Sequence, residues 1–501
     1  MSATAPAPLP DTLDVLIVGA GISGLGAARA LRQQCPGKRW AVLESQDGHG
    51  GTWRTHRYPG IRSDSDLFTF GYGFKPWMGQ PIASGAEIQK YLAEVIDENG
   101  LAPQIHYRHR IVAAAWDSAA GQWTVTAEHR PADCGPAQTR QIRTRFLWMC
   151  QGYYRHAQGY TPEWPGMAQF GGRIVHPQTW PEDLDLAGQR VVVIGSGATA
   201  ATLVPAIAGQ CAHVTMLQRS PTFFITGRNA NELADTLRQL EIPAEWTHEI
   251  VRRKVLFDQA AFVRRCQTEP EAVRQDLLAG VRAALGPEHA HLVEQHFNPR
   301  YRPWQQRIAF VPDADLFRAV RSGQASIVTD EIETFTATGL QLKGGQHLDA
   351  DVVVTATGFE LNVLGDVAIT VDGQALDFAR CVTWRGAMFT GLPNLAWVFG
   401  YLRASWTLRA DLLADFVCRL LQHMDAKGAQ VVEPVLRPQD QAMALKPWIE
   451  PDNFNPGYMT RGLDRMARQG DHAPWTNSQD YQLDRVELPA ADLDDGSLSY
   501  R

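Results

Sequence analysis

Apolar positions in this chain come in short unbroken runs more often than in strict alternation. Residues 14–18 (DVLIV) and 191–194 (VVVI) are two of them, and a strand covered on both faces of a parallel sheet needs such a run. Behind each run stand closely spaced glycines, then a small-residue stretch at helical spacing. The first stretch continues through Leu31 and stops at Cys35-Pro36-Gly37, after which residues 39–43 (RWAVL) read as the next strand. The second is followed by a strand-like run at 213–217 (HVTML). Two strand–helix–strand units are predicted, and no other internal repeat is visible.

Strands are also predicted at 122–127, 146–149, 325–329 and 351–355, and a helix at 410–425. Residues 229–296 turn helical and charge-rich, with basic clusters at Arg252-Arg253-Lys254 and Arg264-Arg265. Loops rich in Gly, Pro and aromatics occupy 51–76 and 160–181. Residues 1–12 read as a loose Ala/Pro tail, and residues 492–501 as a polar, frayed end. No Asp, Glu, Lys or Arg occurs in residues 191–218, which a hydropathy window would take for a membrane span. The glycines, Pro205, Gln210 and His213 inside it favour a buried strand–turn–helix–strand instead.

Composition narrows the function. With 501 residues, 45% hydrophobic and 20% charged, the chain is long enough for about three domains and reads as globular. A net charge of −7 gives no reason to expect a nucleic-acid surface. Seven scattered cysteines point to neither a disulfide framework nor a zinc site, and a reduced cytoplasmic protein is expected. His289, His291 and His296 lie close together, but no cysteine is near them and the region is helical, so they are read as solvated polar residues, and no metal is expected. Residues 251–265 are read as the charged outer face of a helix, with interfacial membrane contact as the minor alternative.

The chemistry sits at the glycine turns. Gly19, Gly21 and Gly24 form G-x-G-x-x-G between strand and helix, and Glu44 closes the next strand, where a ribose-binding acid belongs. The second turn is Gly195-Ser196-Gly197-Ala198-Thr199-Ala200, and its acid is replaced by Arg219-Ser220, which suits a 2′-phosphate and hence NADP. One dinucleotide can then be a flavin and the other a nicotinamide that reduces it. Without a redox cysteine pair a disulfide reductase is excluded, leaving a flavoprotein reductase or monooxygenase.

The segment Phe170 to Pro181 matches F-x-G-x-x-x-H-x-x-x-W-P through Phe170, Gly172, His176, Trp180 and Pro181. This resembles the fingerprint of the Baeyer–Villiger monooxygenases, class B flavoprotein monooxygenases. The resemblance extends through Gly50-Gly51-Thr52-Trp53, Arg57-Tyr58-Pro59-Gly60, Asp64 and residues 354–359 (VTATGF). The stretches 57–66 and 193–205 are most similar to the subgroup of the mycobacterial ethionamide-activating monooxygenase. About residues 13–480 are covered.

The resemblance implies an α/β fold with two dinucleotide-binding (Rossmann-like) domains and a helical insertion. Residues 13–157 and 359–501 would form the FAD-binding domain, 158–228 and 301–358 the NADP-binding domain, and 229–300 the insertion. FAD would be held by Gly19, Gly21, Ser23, Gly24, Glu44, Thr52, Trp53 and Asp64, with Val112 reaching the adenine through its backbone. NADPH would be held by Gly195, Ser196, Gly197, Ala198, Thr199, Ala200, Arg219 and Ser220. Arg307 would be the active-site arginine and Asp64 its holder, while His176 would serve domain linkage. Members of the family often carry Lys just before this arginine; here Gln306 stands there.

The implied activity uses NADPH and O2. A flavin peroxide converts ketones to esters or lactones, or thioethers to sulfoxides. Two alternatives stay open: a flavin-containing monooxygenase limited to S- and N-oxidation, against which Trp180-Pro181 argues, and a nucleotide-sensing module, against which the intact motifs argue.

Overall fold

The computed structural model describes residues 7–131 and 135–501; Cys134 and the first half of the expected tail lie outside them. Two parallel-cored sheets organise the chain. In the first, Thr12–Val18 lies between Trp40–Leu43 and Gln138–Met149, all parallel, and Ile105–His106 extends it beyond Trp40–Leu43. Val15, Leu16 and Ile17 have no exposed surface, as the unbroken apolar run requires. An antiparallel meander of His109–Asp117, Gln122–His129 and Gln138–Met149 completes its middle. Near the end of the chain Ala368–Val371 and Leu395–Trp397 return to the same sheet.

The second sheet holds Arg173–Val175, Val352–Thr355, Arg190–Ile194, His213–Gln218 and Ala325–Thr329, in that spatial order and all parallel. Residues 191–218 are therefore the buried strand–helix–strand the pattern predicts. Among the described residues no helix is long and apolar enough to cross a membrane.

Four expectations need correction. Gln138–Met149 is much longer than 146–149, because only its last four residues are continuously buried; the rest largely alternates between exposed and covered. The described part of the expected tail is packed. Leu9 is buried, Ala7 N–H donates to the Pro103 carbonyl, and Thr12 already belongs to the first strand. The chain end is ordered too. Leu493 and Leu498 are buried, and Leu498–Tyr500 pairs with Val432–Pro434, so a few apolar side chains decide against the polar composition.

The fourth correction concerns the basic cluster. In helix Ala244–Thr268, Arg253 and Lys254 face outward, but Arg252 is buried and donates to the carbonyls of Phe68 at 2.9 Å and Gly71 at 3.0 Å. This also shows how the expected insertion divides. Ala234 and Val251 join the core of the first sheet, whereas Leu278, Val281 and Val293 join that of the second. The helices of residues 232–296 therefore straddle both units.

Candidate active site

The two glycine turns open onto one cleft of about 1220 Å³ between the sheets. At the first turn Gly19 has φ +100°, and a Cβ there would lie 2.9 Å from the Cys150 carbonyl oxygen. A Cβ on Gly24 would come within 1.8 Å of the Gly19 carbonyl oxygen, so this glycine is demanded by packing. Gly21 is different: its Cβ would meet only the Gly51 backbone, at 3.6 Å from Cα and 3.9 Å from N, leaving the rest of its surroundings open toward the cleft. Gly21 also caps helix Ile22–Gln34, whose first amides have no side-chain acceptor. Helix Ala198–Ile207 starts in the same way behind Gly197. Both termini suit phosphate.

Glu44 is buried at the cleft edge. Its Oε2 accepts from Ala20 N–H at 2.7 Å and its Oε1 from Gln46 N–H at 2.8 Å, which fixes the carboxylate beside the turn. Ser23 Oγ accepts from Trp406 Nε1–H at 2.8 Å, Thr52 Oγ1 lies 2.7 Å from the Tyr154 hydroxyl, and Trp53 packs edge-on against Phe70. The buried Gln151 side-chain amide, also in the cleft wall, has no partner among the described residues at either its oxygen or its nitrogen. Bare amides, a held carboxylate and an unpartnered amide together fit a dinucleotide carrying a polar ring.

On the other side Gly195 has φ +128° and no room for a Cβ against the Ala356 carbonyl. Ser196 Oγ ties the turn to Thr222 Oγ1 at 2.9 Å, and Arg219 and Ser220 enter the wall from the end of His213–Gln218. Gly24, Val112 and Ala200 stand behind the lining residues. Val112 sits at a register shift between Ile111 and Ala113, beside the cleft residue Ile111, so its backbone is outside the regular ladder.

Between the turns Arg307 meets Asp64 through two hydrogen bonds, Nε to Oδ2 at 2.9 Å and Nη2 to Oδ1 at 3.1 Å. Both side chains are about one-third exposed, at 34% and 33%, and that exposure faces the cleft. The carboxylate holds the guanidinium further above its already high ordinary pKa, so Arg307 stays cationic. Tyr153 and Tyr458 flank it, and burial raises both phenols above their usual range. Tyr153 stacks on Trp406 with ring centroids 5.2 Å apart. Sequence reasoning missed this aromatic wall; Tyr153 directly follows Gly152 beyond the strand end, which was the available signal.

The fingerprint loop lies outside the lining. Phe170 packs edge-on against Phe335, Gly172 has no room for a Cβ beside the Asp351 carbonyl, and Trp180, next to Pro181, rests on the second core. His176 Nδ1 accepts from Gln178 N–H at 3.1 Å, and its Nε2 lies 3.3 Å from the Gly358 carbonyl oxygen. Burial lowers the His176 pKa, so the ring is neutral and donates from Nε2. Gln178 Nε2 donates to the carbonyls of Arg155 and His156 at 2.6 and 2.7 Å. The loop thus grips both crossings of the chain between the two units.

Two dinucleotide turns facing one cleft, with a fixed cation between them, define a two-nucleotide oxidoreductase. Residues 17–90 match the NAD(P)-binding Rossmann-like domain, and residues 81–233 the family described as flavin-binding monooxygenase-like. The chain is 44% identical over 491 residues to the protein named probable FAD-binding monooxygenase AlmA of Acinetobacter baylyi, covering 97% of this chain and 96% of that one. It is 42% identical over 494 residues, 98% of each chain, to the FAD-containing monooxygenase EthA of Mycobacterium tuberculosis. Oxidised steroid monooxygenase bound to NADP shares the fold, with a TM-score of 0.76, 23% identity, and coverage of 98% of this chain and 99% of that one. The chain belongs to the family of FAD-containing, flavin-binding monooxygenases.

Proposed function

We propose that this protein uses NADPH and O2 to insert one oxygen atom beside a ketone carbonyl, giving an ester or lactone, and to convert thioethers to sulfoxides. The second oxygen atom leaves as water and NADPH leaves as NADP⁺. The observation that carries the reading is the bidentate Arg307–Asp64 pair placed in a cleft shared by both glycine turns. Bound FAD supplies the redox chemistry, taking hydride from the nicotinamide and activating O2.

The protein's part is binding, orientation and electrostatics. Gly19, Gly21 and the amides behind them hold the FAD pyrophosphate, Glu44 its ribose, Ser23, Thr52 and Trp53 the neighbouring groups, and Val112 the adenine end. Gly195 to Ala200, Arg219 and Ser220 hold NADPH. Arg307 stabilises negative charge on oxygen as it develops, and Asp64 keeps the guanidinium in position until then. His176 and Gln178 hold the linkers so that the two units close on each other and exclude water. This reading assigns residues 13–157 and 359–501 to the FAD side and 158–228 and 301–358 to the NADP side, in a cytoplasmic enzyme.

Purified protein incubated with NADPH and a panel of ketones and thioethers tests the reading by product analysis. Lactone or ester together with sulfoxide is expected. Sulfoxide alone would replace the reading by S-oxidation, and NADPH consumption without oxygenated product would overturn it.

A further inference from the structure

Gln306 leaves the position beside Arg307 uncharged, yet the fold brings another cation to the same cleft. Gln306 Nε2 reaches Asn455 Oδ1 at 3.4 Å, Asn455 N–H donates to the Gln305 carbonyl at 2.9 Å, and Arg302 Nη2 donates to the Asp452 carbonyl at 2.7 Å. Residues 452–455 are thereby laid along residues 302–306, and the chain continues through the short helix Gly457–Thr460 to Arg461. The Arg461 guanidinium lies over the Tyr160 ring, 3.4 Å from its centre, and donates to the Phe359 carbonyl at 3.1 Å. Both Arg461 and Arg219 line the cleft, one from the FAD side and one from the NADP side.

Among the described residues neither of these two cations has a carboxylate within ion-pair distance, although Glu331 acts on Arg219 and Glu360 on Arg461 from further away. Asp330 is engaged by the backbone N–H groups of Glu331 at 2.7 Å and Gly344 at 2.9 Å. Glu331 is paired with Lys343 at 2.6 Å, and Glu360 with Arg155 at 2.8 Å. Burial lowers the pKa of Arg461, and the proximity of Arg219 lowers it further, while Tyr160 and Glu360 act the other way. Two guanidiniums that line one cleft, neither ion-paired among the described residues, suit a dianion that both can touch.

We propose that Arg219 and Arg461 together form a subsite for the 2′-phosphate of the adenosine ribose, with Arg461 supplying the charge that Gln306 does not. The subsite rests on the NADPH reading above and deepens it: the phosphate bridges the two domains, so cofactor choice and domain closure are coupled. Arg461 is a specificity residue here, and its contacts to Tyr160 and Phe359 aim it.

The test is calorimetric titration of the FAD-loaded protein with adenosine 2′-monophosphate and, separately, adenosine 5′-monophosphate. The unaltered protein is expected to prefer the 2′-phosphate. Arg461→Ala and Arg219→Ala should each weaken 2′-phosphate binding about tenfold or more while leaving the 5′-phosphate within twofold, and Arg461→Lys should recover part of the loss. In turnover, KM for NADPH should rise in Arg461→Ala and KM for NADH should not. A preference intact in the unaltered protein and unchanged in Arg461→Ala, or an equal loss of both nucleotides, would overturn the subsite and leave the NADPH reading standing. No preference in the unaltered protein would overturn both.

Discussion

Removing Arg307 separates what the cleft does for folding from what it does for chemistry. The Arg307–Asp64 pair makes two hydrogen bonds of 2.9 and 3.1 Å, but both side chains are about one-third exposed. Solvent screening limits such a pair to about 1 kcal/mol of stability or less, so Arg307→Ala should unfold only a few degrees lower and keep its FAD. As a preorganised charge at the reacting oxygen the same guanidinium counts for more. Its loss should cost about 100-fold or more in ketone turnover, equivalent to about 2.7 kcal/mol of transition-state stabilisation. Sulfoxidation needs less anion stabilisation, so residual activity should shift toward thioethers. Asp64→Ala leaves the charge and removes only its positioning, so its defect should be milder. The assay is steady-state turnover of one ketone and one thioether by protein of matched FAD content, with thermal unfolding alongside. A yellow Arg307→Ala protein that converts the ketone at the wild-type rate would refute the assignment.

Three further outcomes follow from the geometry. Gly24→Ala should fail to fold, since its Cβ would collide with the Gly19 carbonyl, whereas Gly21→Val should fold without FAD; circular dichroism and the visible spectrum distinguish them, and a folded yellow Gly21→Val would remove that glycine from the site. His176→Ala should retain FAD but reduce it more slowly or uncouple NADPH oxidation from product, read by stopped-flow reduction and product yield; unchanged values for both would make the loop purely structural. Buried His56, His106 and His248 have pKa values pushed down to about 4 from the ordinary 6.5, so the unfolded chain takes up protons first. Their contribution is complete above pH 6.5 and is lost as pH falls toward 4, up to about 3 kcal/mol each. Asp66 and Asp411, raised to about 6 by burial, oppose this, so the check is that His248→Asn flattens the pH dependence of the denaturation midpoint between 6.5 and 4.5. An unflattened profile would show that His248, which accepts from Trp77 N–H, does not titrate there.

The sequence alone determined the parts whose constraints are short-range. Gly24 is imposed by a contact within its own turn and Gly19 and Gly195 by their positive φ, and buried strands must be apolar along their whole length, so both units were legible from local pattern. The fingerprint positions were legible only through family resemblance, because nothing local in a loop with one histidine says that it grips two linkers. Tertiary structure alone decided what meets across the cleft. Asp64 and Arg307 are 243 residues apart, and Tyr153 reaches the site from one segment while Tyr458 and Arg461 reach it from another. It also decided which basic residue is outside: Arg252 turns inward because the Phe68 and Gly71 carbonyls need donors, while Arg253, next in the chain, bonds Glu249 at the surface. A side chain's neighbours across a sheet or a helix face are set by packing of the whole chain, and a linear pattern holds no record of that convergence.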